Sequence, residues 1–261
     1  MERTALVTGA SSGIGRATAA ALVARGYRVF GTSRKPLALD GVEPLVLDLE
    51  SPASIEALAG PLATVDVLVN NAGESQSGPF EELPPEALQR LFQVNVLGAV
   101  RLAQLALPGM RERGYGRVVM VGSMLASFPL AYRSSYVATK AAIKGFSNGA
   151  RHEYSPFGVW LTTVEPGSIN TGISERRTNY VAPDSPHRAD FARMLAALDR
   201  NERAGTSPER VADTIIRAIE AKKPKARYAV GSNAPLVFAL RRVAPAGLAE
   251  KLTHRRHDLR R

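Results

Sequence analysis

The sequence predicts one doubly wound α/β domain, in which helices cover both faces of a mostly parallel, seven-stranded sheet. Its 261 residues are a normal size for a single α/β unit with a sizeable core. Over the first two-thirds, short apolar, β-branched runs alternate with longer helical patterns, as in βαβ units. Because crossovers between parallel strands are right-handed, helices are expected on both faces and ligands beyond the carboxyl ends of the strands.

Each predicted element follows from this alternation. The predicted strands are Ala5–Thr8, Arg28–Thr32, Pro44–Asp48, Val65–Asn70, Gly116–Gly122, Trp160–Glu165 and Ala226–Val230. The predicted helices are Ile14–Arg25, Ser54–Gly60, Pro85–Arg113, Ser134–Ser155 and Pro208–Lys222, the last with Ser207 as its N-cap.

Two segments depart from the alternation, Gly172–Thr206 and Asn233–Arg261. The first is polar and has a helical pattern at Ala189–Ala204, so we interpret it as a substrate lid inserted over the strand ends. The second is apolar from Pro235 to Leu240 and basic afterwards. Neither resembles a separate domain, so residues 1–261 are interpreted as one dinucleotide-binding catalytic domain.

The formal net charge of +10 is concentrated at one end of the chain. Arg241–Arg261 holds seven basic and two acidic residues, a net charge of +5 and half of the excess. Three interpretations, in decreasing order of preference, are a solvated tail, a peripheral contact with an anionic membrane and a nucleic-acid contact. The segment could equally fold back onto the lid. Because no aromatic stacking platform accompanies the charge, no specific nucleic-acid binding is expected.

Composition excludes several kinds of chemistry. The chain has no cysteine, which rules out disulfides, thiolate nucleophiles and cysteine-ligated metals, so catalysis must use oxygen or nitrogen groups or a cofactor. No spacing of His, Asp and Glu predicts a metal site. Met1-Glu2-Arg3 begins no secretion signal, and no run of about 18 apolar residues indicates a membrane span. These observations predict a cytoplasmic location.

A glycine-rich loop joins the first strand to the first helix, where glycines let backbone N–H groups approach a diphosphate. Its spacing, Gly-x-x-x-Gly-x-Gly, differs from the Gly-x-Gly-x-x-Gly dinucleotide fingerprint, and a tight turn that binds nothing is the alternative. The loop's predicted cofactor-binding residues are Thr8, Gly9, Ser11, Ser12, Gly13, Ile14 and Gly15.

Further motifs follow in a characteristic order: Asn70-Asn71-Ala72-Gly73, Asn95, Ser123, Tyr136-x-x-x-Lys140 and Pro166-Gly167. With the glycine-rich loop, this order resembles the short-chain dehydrogenase/reductases from Thr4 to Thr171, and more loosely to Val230. There is also a loose similarity to the hydroxysteroid and retinol dehydrogenase branches. The resemblance implies a Rossmann-like fold and a nicotinamide-dependent oxidoreductase.

Tyr136 and Lys140 are four residues apart on a predicted helix, so they share a face. An ammonium near a phenol stabilises the phenolate, so Tyr136 is predicted to act as acid or base. Ser123, just past a strand, is predicted to hydrogen-bond the substrate oxygen. The resemblance implies that Lys140 also contacts the nicotinamide ribose and that Asn95 anchors a proton-relay water. Alone, the Tyr-Lys spacing would also fit an exposed helix pair.

The turn after the second strand indicates which nicotinamide cofactor binds. An acidic residue in this region typically holds the ribose of NAD, whereas arginine accommodates the 2′-phosphate of NADP. Ser33 and Arg34 stand here, and no acid follows until Asp40. We therefore predict NADP(H), with a charge-assisted contact from Arg34 and a neutral hydrogen bond from Ser33. A solvated basic turn that accepts both cofactors is the alternative.

The resemblance implies further cofactor contacts along the chain. They come from Asp48 at the adenine and Leu49 after it, from Asn71, Ala72 and Gly73, from Tyr136 and Lys140, and from Pro166, Gly167, Ile169 and Thr171 beside the nicotinamide.

The candidate substrate pocket is mostly apolar, which suits a lipophilic or aromatic alcohol or ketone. Its predicted walls are Met124, Leu125, Phe128, Tyr132, Tyr180, Phe191, Met194 and Leu195. Alternatively, these side chains pack the lid against the body.

Together these patterns predict an NADP(H)-dependent oxidoreductase that transfers a hydride between nicotinamide and a carbonyl or secondary alcohol, with Tyr136 as acid/base. The alternative is a non-catalytic NADP(H)-sensing regulator, which would not need the Ser123, Tyr136 and Lys140 set. The resemblance also implies a homodimer or homotetramer. An apolar stripe at Ala138, Ala141, Ala142 and Phe146 suits such an interface, although a core-facing stripe would look the same.

Overall fold

A computed structural model describes residues 2–172, 176–243 and 246–259. Its main sheet has seven parallel strands in the order β3-β2-β1-β4-β6-β7-β9, which confirms the predicted fold class. The strands are β1 (Thr4–Thr8), β2 (Arg28–Ser33), β3 (Val42–Val46), β4 (Val67–Asn70), β6 (Gly116–Val121), β7 (Val159–Pro166) and β9 (Arg227–Val230). A separate pair joins β5 (Gln76–Ser77) to β8 (Thr178–Asn179).

Helices lie on both faces of the sheet. They are α1 (Gly13–Val23), α2 (Pro52–Glu56), α3 (Ala59–Thr64), α4 (Pro85–Phe92), α5 (Gly98–Glu112), α6 (Ser134–Tyr154), α7 (Arg188–Arg203), α8 (Pro208–Glu220), α9 (Ala234–Val243) and α10 (Ala246–Arg256). The helix predicted at Ala189–Ala204 is α7, shifted by one residue.

Three predicted elements differ from the observed ones for local reasons. The third strand ends at Val46 rather than Asp48, because the Asp48 carboxylate accepts a hydrogen bond from the Glu50 N–H and forms a turn. The helix predicted at Ser54–Gly60 is two helices, α2 and α3; Ser51 caps α2 through a hydrogen bond from the Ser54 N–H. The predicted helix Pro85–Arg113 is interrupted by a π-helical turn at Gln93–Leu97.

The central strands are buried on both faces, which explains their continuous apolar runs. In β1 and β4, Leu6 and Leu68 face the cluster beneath α3 and α5, whereas Val7 and Val69 face the cluster beneath α1 and α8. Alternate residues of one strand thus supply two separate cores. Because all seven strands are parallel, their carboxyl ends lie at one edge of the sheet.

The helical run Pro85–Glu112 is long and apolar enough to cross a membrane by length and composition alone. Its apolar window is 56% buried inside the protein. Leu102, Ala106 and Met110 are buried in the core cluster beneath α5, so this run serves here as a core helix.

Candidate functional site

A cavity of about 780 Å³ opens at the carboxyl ends of β1, β2, β4, β6 and β7. It lies where the strand order reverses on either side of β1, the position at which doubly wound sheets bind ligands. Most of the predicted site residues line it, namely Gly9, Ser11, Ser12, Gly13, Ile14, Ser33, Arg34, Asp48, Leu49, Asn71, Ala72, Gly73, Ser123, Tyr136, Lys140, Pro166, Gly167, Ile169 and Thr171.

Three predicted site residues, Thr8, Gly15 and Asn95, lie behind the cavity lining. The Thr8 hydroxyl accepts hydrogen bonds from the N–H groups of Asn71 and Ala72, both at 2.9 Å, and so holds the loop after β4 against the end of β1. A Cβ on Gly15 would lie 2.2 Å from the Gly9 carbonyl oxygen. Thr8 and Gly15 therefore support the loops that line the cavity.

The glycine-rich loop presents the amino end of α1 to the cavity. Gly9 and Gly13 have φ angles of +68° and +53°, a left-handed conformation that favours glycine. The helix begins at Gly13 after Ser12, which caps it in an extended conformation. The first N–H groups of α1 have no partners within the helix, and the helix dipole favours negative charge here. This end of the cavity therefore suits a diphosphate.

A second anion position lies at the end of β2. The Arg34 side chain is 64% exposed, and its Nη1 lies 4.0 Å from Glu74 Oε1. Arg90 holds the same Glu74 oxygen at 2.7 Å. Because such an exposed, long ion pair is weak, the Arg34 guanidinium is available to an anionic ligand. The Ser33 hydroxyl beside it donates to the Lys35 carbonyl.

Ser123, Tyr136 and Lys140 line the same cavity, and Lys140 lies close to Tyr136. The Lys140 Nζ is buried, donates to the Val121 carbonyl at 3.0 Å and lies 5.7 Å from the Tyr136 ring centre. The Ser123 hydroxyl oxygen accepts a hydrogen bond from the Leu125 N–H at 3.2 Å. In the described part of the chain no acceptor takes the Ser123 hydroxyl proton, so it can be donated to a molecule in the cavity.

Asn95 joins the loop after β4 to the helix that carries Tyr136. Its Oδ1 accepts from the Glu74 N–H at 2.8 Å, and its Nδ2 donates to the Glu74 carbonyl at 3.0 Å and to Thr139 Oγ1 at 3.3 Å. It lies in the π-helical turn, a feature often found at functional sites. The Asn95 side-chain amide group is thus hydrogen-bonded to other groups of the protein. The relay water at Asn95 remains a prediction.

Sequence reasoning missed Arg133, whose guanidinium stacks on Tyr136. Its Cζ lies 4.3 Å from the ring centre, and its Nη1 donates to Ser75 Oγ, Ser77 Oγ and the Gln76 carbonyl at 2.9 to 3.0 Å. Burial lowers the pKa of Arg133 to about 10, so it is cationic at neutral pH. No sequence signal separates Arg133 from an exposed arginine that precedes a helix.

The second missed feature is the wall that the C-terminal segment contributes. Cavity-lining residues on α9 and α10 include Val237, Arg241, Ala249, Leu252 and Arg256. The separation of four residues on α9, and of three, four and seven on α10, is the helical spacing by which the sequence could indicate this wall. The described part of this segment also folds back onto the lid, as one interpretation had it: Arg200 of α7 donates to Asp258 at 2.6 Å, and Leu259 packs with Phe191 and Met194.

The predicted apolar walls are correct in part. Met124, Leu125 and Phe128 line the cavity. The other five, Tyr132, Tyr180, Phe191, Met194 and Leu195, are outside its lining, so that part of the prediction is wrong. All of these but Tyr180 pack with Leu130, Leu198 and Leu259. The insertion thus buries these side chains against the body, which was the alternative interpretation.

Fold and site together define a class of protein, the dinucleotide-binding α/β proteins that hold a serine, a tyrosine and a lysine at the switch point of the sheet. The sequence profile of the short chain dehydrogenases matches residues 3–181. The chain therefore belongs to the short-chain dehydrogenase family and is an oxidoreductase by family.

Individual relatives agree with this assignment. The chain is 32% identical, over 90% of both lengths, to a 3-ketodihydrosphingosine reductase of Bacteroides thetaiotaomicron. It resembles the structure of a short-chain dehydrogenase from Streptomyces avermitilis, with a TM-score of 0.83 and 36% identity over 99% of each chain. It also resembles a short-chain dehydrogenase from Sphingobium yanoikuyae solved in complex with NADPH, with a TM-score of 0.74 and 28% identity over 99% of this chain and 97% of that one.

Proposed function

We propose that this protein is an NADP(H)-dependent oxidoreductase that interconverts a carbonyl and a secondary alcohol in a lipophilic small molecule. The observation that carries the proposal is that Ser123, Tyr136 and Lys140 line one cavity, which also has two positions suited to anions. A nucleotide sensor would not need this serine, tyrosine and lysine, so no observation favours the regulatory alternative.

The chain's residues fit NADP(H). The amino end of α1 would hold the diphosphate, Arg34 and Ser33 the 2′-phosphate, and Pro166–Thr171 the nicotinamide. When bound, the cofactor supplies or accepts the hydride. The NADPH complex of the similar Sphingobium protein supports this choice.

The proton chemistry belongs to the chain itself. In reduction, the Ser123 hydroxyl donates a hydrogen bond to the substrate carbonyl oxygen, and the Tyr136 hydroxyl gives its proton to that oxygen. The Lys140 ammonium and the Arg133 guanidinium stabilise the phenolate that remains. Oxidation runs the same steps in reverse.

The cavity wall indicates the substrate class. Met124, Leu125, Phe128, Val237 and Leu252 all line the cavity, and Val237 packs in one cluster with Met124 and Phe128, so an apolar molecule would meet an apolar surface there. A relative that is named a reductase of a keto compound supports a ketone as the substrate.

The test is titration of the protein with NADPH and with NADH, followed by NADPH absorbance in the presence of lipophilic ketones and aldehydes. We expect tighter binding of NADPH and consumption of NADPH with at least one ketone. Failure to bind either cofactor would overturn the proposal. Binding of NADPH without turnover across a broad panel would contradict the catalytic part.

A further inference from the structure

We infer that Lys144, held in place by the buried carboxylate of Glu165, positions the loop that carries Ser123. The loop comprises residues 122–127, directly after β6, and we call it the serine loop. Lys144 is a positioning residue, because it contacts the end of this loop and acts through it. The inference rests on the proposed function, since it concerns how the serine of that reaction is held.

Two lysines of α6 contact the two ends of the serine loop. At its start, the Lys140 Nζ donates to the carbonyl of Val121, the last residue of β6, at 3.0 Å. At its end, the Lys144 Nζ donates to Ser127 Oγ at 2.7 Å. Because Lys140 and Lys144 are about one helical turn apart, they lie on the same side of α6. The helix therefore holds the serine loop at both ends.

Between these ends, the serine loop forms a 3₁₀ turn with hydrogen bonds of its own. The N–H groups of Ser127 and Phe128 donate to the Met124 carbonyl at 2.9 and 3.0 Å. The Leu125 N–H donates to Ser123 Oγ at 3.2 Å. Since these bonds connect the end of the loop to its serine over four residues, we expect a shift of Ser127 to change the orientation of the Ser123 hydroxyl.

Glu165 of β7 supplies the negative charge that Lys144 faces. Its side chain is 1% exposed, and its Oε1 lies 3.5 Å from the Lys144 Nζ and accepts from Thr163 Oγ1 at 3.3 Å. Burial raises the pKa of Glu165, whereas the charges of Lys144 and Arg227 lower it. A buried carboxylate is costly without a cationic partner. Among the described residues, Lys144 forms the ion pair with Glu165, so the carboxylate fixes the position of the ammonium.

Glu165 also lies beside the first residue of the serine loop. A Cβ on Gly122 would lie 3.3 Å from Glu165 Cγ. The Gly122 N–H donates to the Val164 carbonyl at 2.8 Å, which ties the same residue to β7. Glu165 thus borders the start of the serine loop directly and reaches its end through Lys144.

A double-mutant cycle between Lys144→Met and Ser123→Ala tests the inference in steady-state ketone reduction. Lys144→Met keeps an aliphatic side chain and removes the ammonium. We expect it to lower kcat about tenfold when Ser123 is present, but less than about twofold in the Ser123→Ala background, where no serine hydroxyl remains to be positioned. KM for NADPH should change less than about twofold.

Arg151→Met is the matched control for the kinetics. Arg151 also lies on α6 and donates to the Leu161 carbonyl of β7 at 2.8 Å, but it does not contact the serine loop. Its replacement weakens the attachment of α6 to β7 without releasing the loop, so kcat should stay within about twofold of the unmodified value.

Amide hydrogen exchange of the cofactor-free protein, measured by mass spectrometry, tests the same contact without turnover. Lys144→Met and Glu165→Gln should each exchange about fivefold faster or more in peptides that cover residues 125–128. Exchange in β6 should stay unchanged, which shows that the variants are folded.

An equal loss of kcat from Lys144→Met with and without Ser123, or a matching loss in Arg151→Met, would overturn the inference. Unchanged exchange at residues 125–128 in both loop variants would overturn it as well. Failure of the proposed function has a different signature, namely no NADPH consumption with any ketone. In that case the exchange comparison still decides whether Lys144 and Glu165 hold the loop.

Discussion

Two cations lie close to the ring of Tyr136: the Arg133 guanidinium at 4.3 Å from its centre and the Lys140 ammonium at 5.7 Å. Both are buried, so water screens them little. The three residues occur at intervals of three and four, so the amino end of α6 places them on one side of the helix. Two cationic side chains thus lie within cation–π distance of the ring that carries the proposed proton donor.

Tyr136→Phe removes the proposed proton donor and keeps the ring on which Arg133 stacks. We expect kcat for ketone reduction to fall by about 100-fold or more, with NADPH affinity changed less than about twofold. Steady-state kinetics and a cofactor titration measure the two effects. Tyr154→Phe, on the same helix but outside the cavity, is the control. Near-normal turnover by a folded Tyr136→Phe protein would contradict the proposed role.

Arg34→Ala tests the proposed 2′-phosphate position. Loss of a charge-assisted contact should raise KM for NADPH by about tenfold or more and leave KM for NADH nearly unchanged. The comparison is made with Lys35→Ala, which removes a neighbouring exposed charge outside the cavity. An equal effect of Arg34→Ala on both cofactors would show that Arg34 does not bind the phosphate.

At the scale of elements, α9 and α10 fold back over the site through a small apolar cluster and a set of histidine contacts. Phe238 of α9 meets Phe128 edge-on, with ring centres 5.1 Å apart. On α10, His254 Nδ1 bonds the Glu250 carbonyl, while its Nε2 accepts from the Ala131 N–H at 3.3 Å. These contacts attach the carboxyl-terminal half of α10 to the segment that precedes α6.

His257, just after α10, links the stability of the fold to pH. Burial lowers the pKa of His257; Arg256, His254 and Arg133 lower it further, and a hydrogen bond to the Thr253 carbonyl opposes the shift. The unfolded chain therefore takes up a proton first as pH falls. The contribution of neutral His257 to the free energy of unfolding is fully present above its unfolded pKa of about 6.5. It is lost as pH falls towards the lower pKa of the folded state.

The free energy of unfolding of the unmodified protein should fall between about pH 7.5 and about pH 5.5. We expect that of His257→Gln to fall by about 1 kcal/mol less over the same range. Thermal unfolding of both proteins across that range measures the difference. The other titratable groups contribute equally to the pH dependence of both proteins, so their contributions cancel in the comparison. His152→Gln, at an exposed position on α6, is the control. Parallel pH profiles for the unmodified protein and His257→Gln would exclude this role for His257.

At the scale of the whole molecule, the outer face of α6 is exposed in the described part of the structure. Ala138, Ala141 and Phe146 are exposed, Phe146 by 48%, whereas Ala142 packs against the core. Leu97, in the π-helical turn between α4 and α5, is 53% exposed. Small residues around a protruding aromatic ring allow close approach of a second copy. We therefore propose that this face, which includes Phe146, is an interface of a homodimer or homotetramer.

Phe146→Asp should dissociate that assembly, because it places a charge in an apolar contact. Light scattering after size-exclusion chromatography measures the mass. Phe157→Asp is a matched control, since Phe157 is also 48% exposed but lies beyond the carboxyl end of α6. A monomeric unmodified protein, or an unchanged mass in Phe146→Asp, would contradict the proposal.

The sequence by itself determined the sheet, the order of its elements and much of the cavity lining at its inner end. Strands buried on both faces are rich in apolar residues, as at Val67–Val69 in β4 and Val118–Val121 in β6. A helix start that approaches a strand end needs glycine, as at Gly15. A pair four residues apart on a helix, such as Tyr136 and Lys140, must share a face. These constraints are local, so they can be read from spacing.

Only the tertiary structure decided which of the remaining side chains face the cavity. Phe191 and Met194 suit a pocket wall or a packed lid equally well, and the docking of α7 buries them away from the cavity. Arg133 and Arg256 look like surface charges until the fold stacks one on Tyr136 and brings the other over the strand ends. Such contacts join residues far apart in the chain. Their energy depends on packing and desolvation, which no local pattern records.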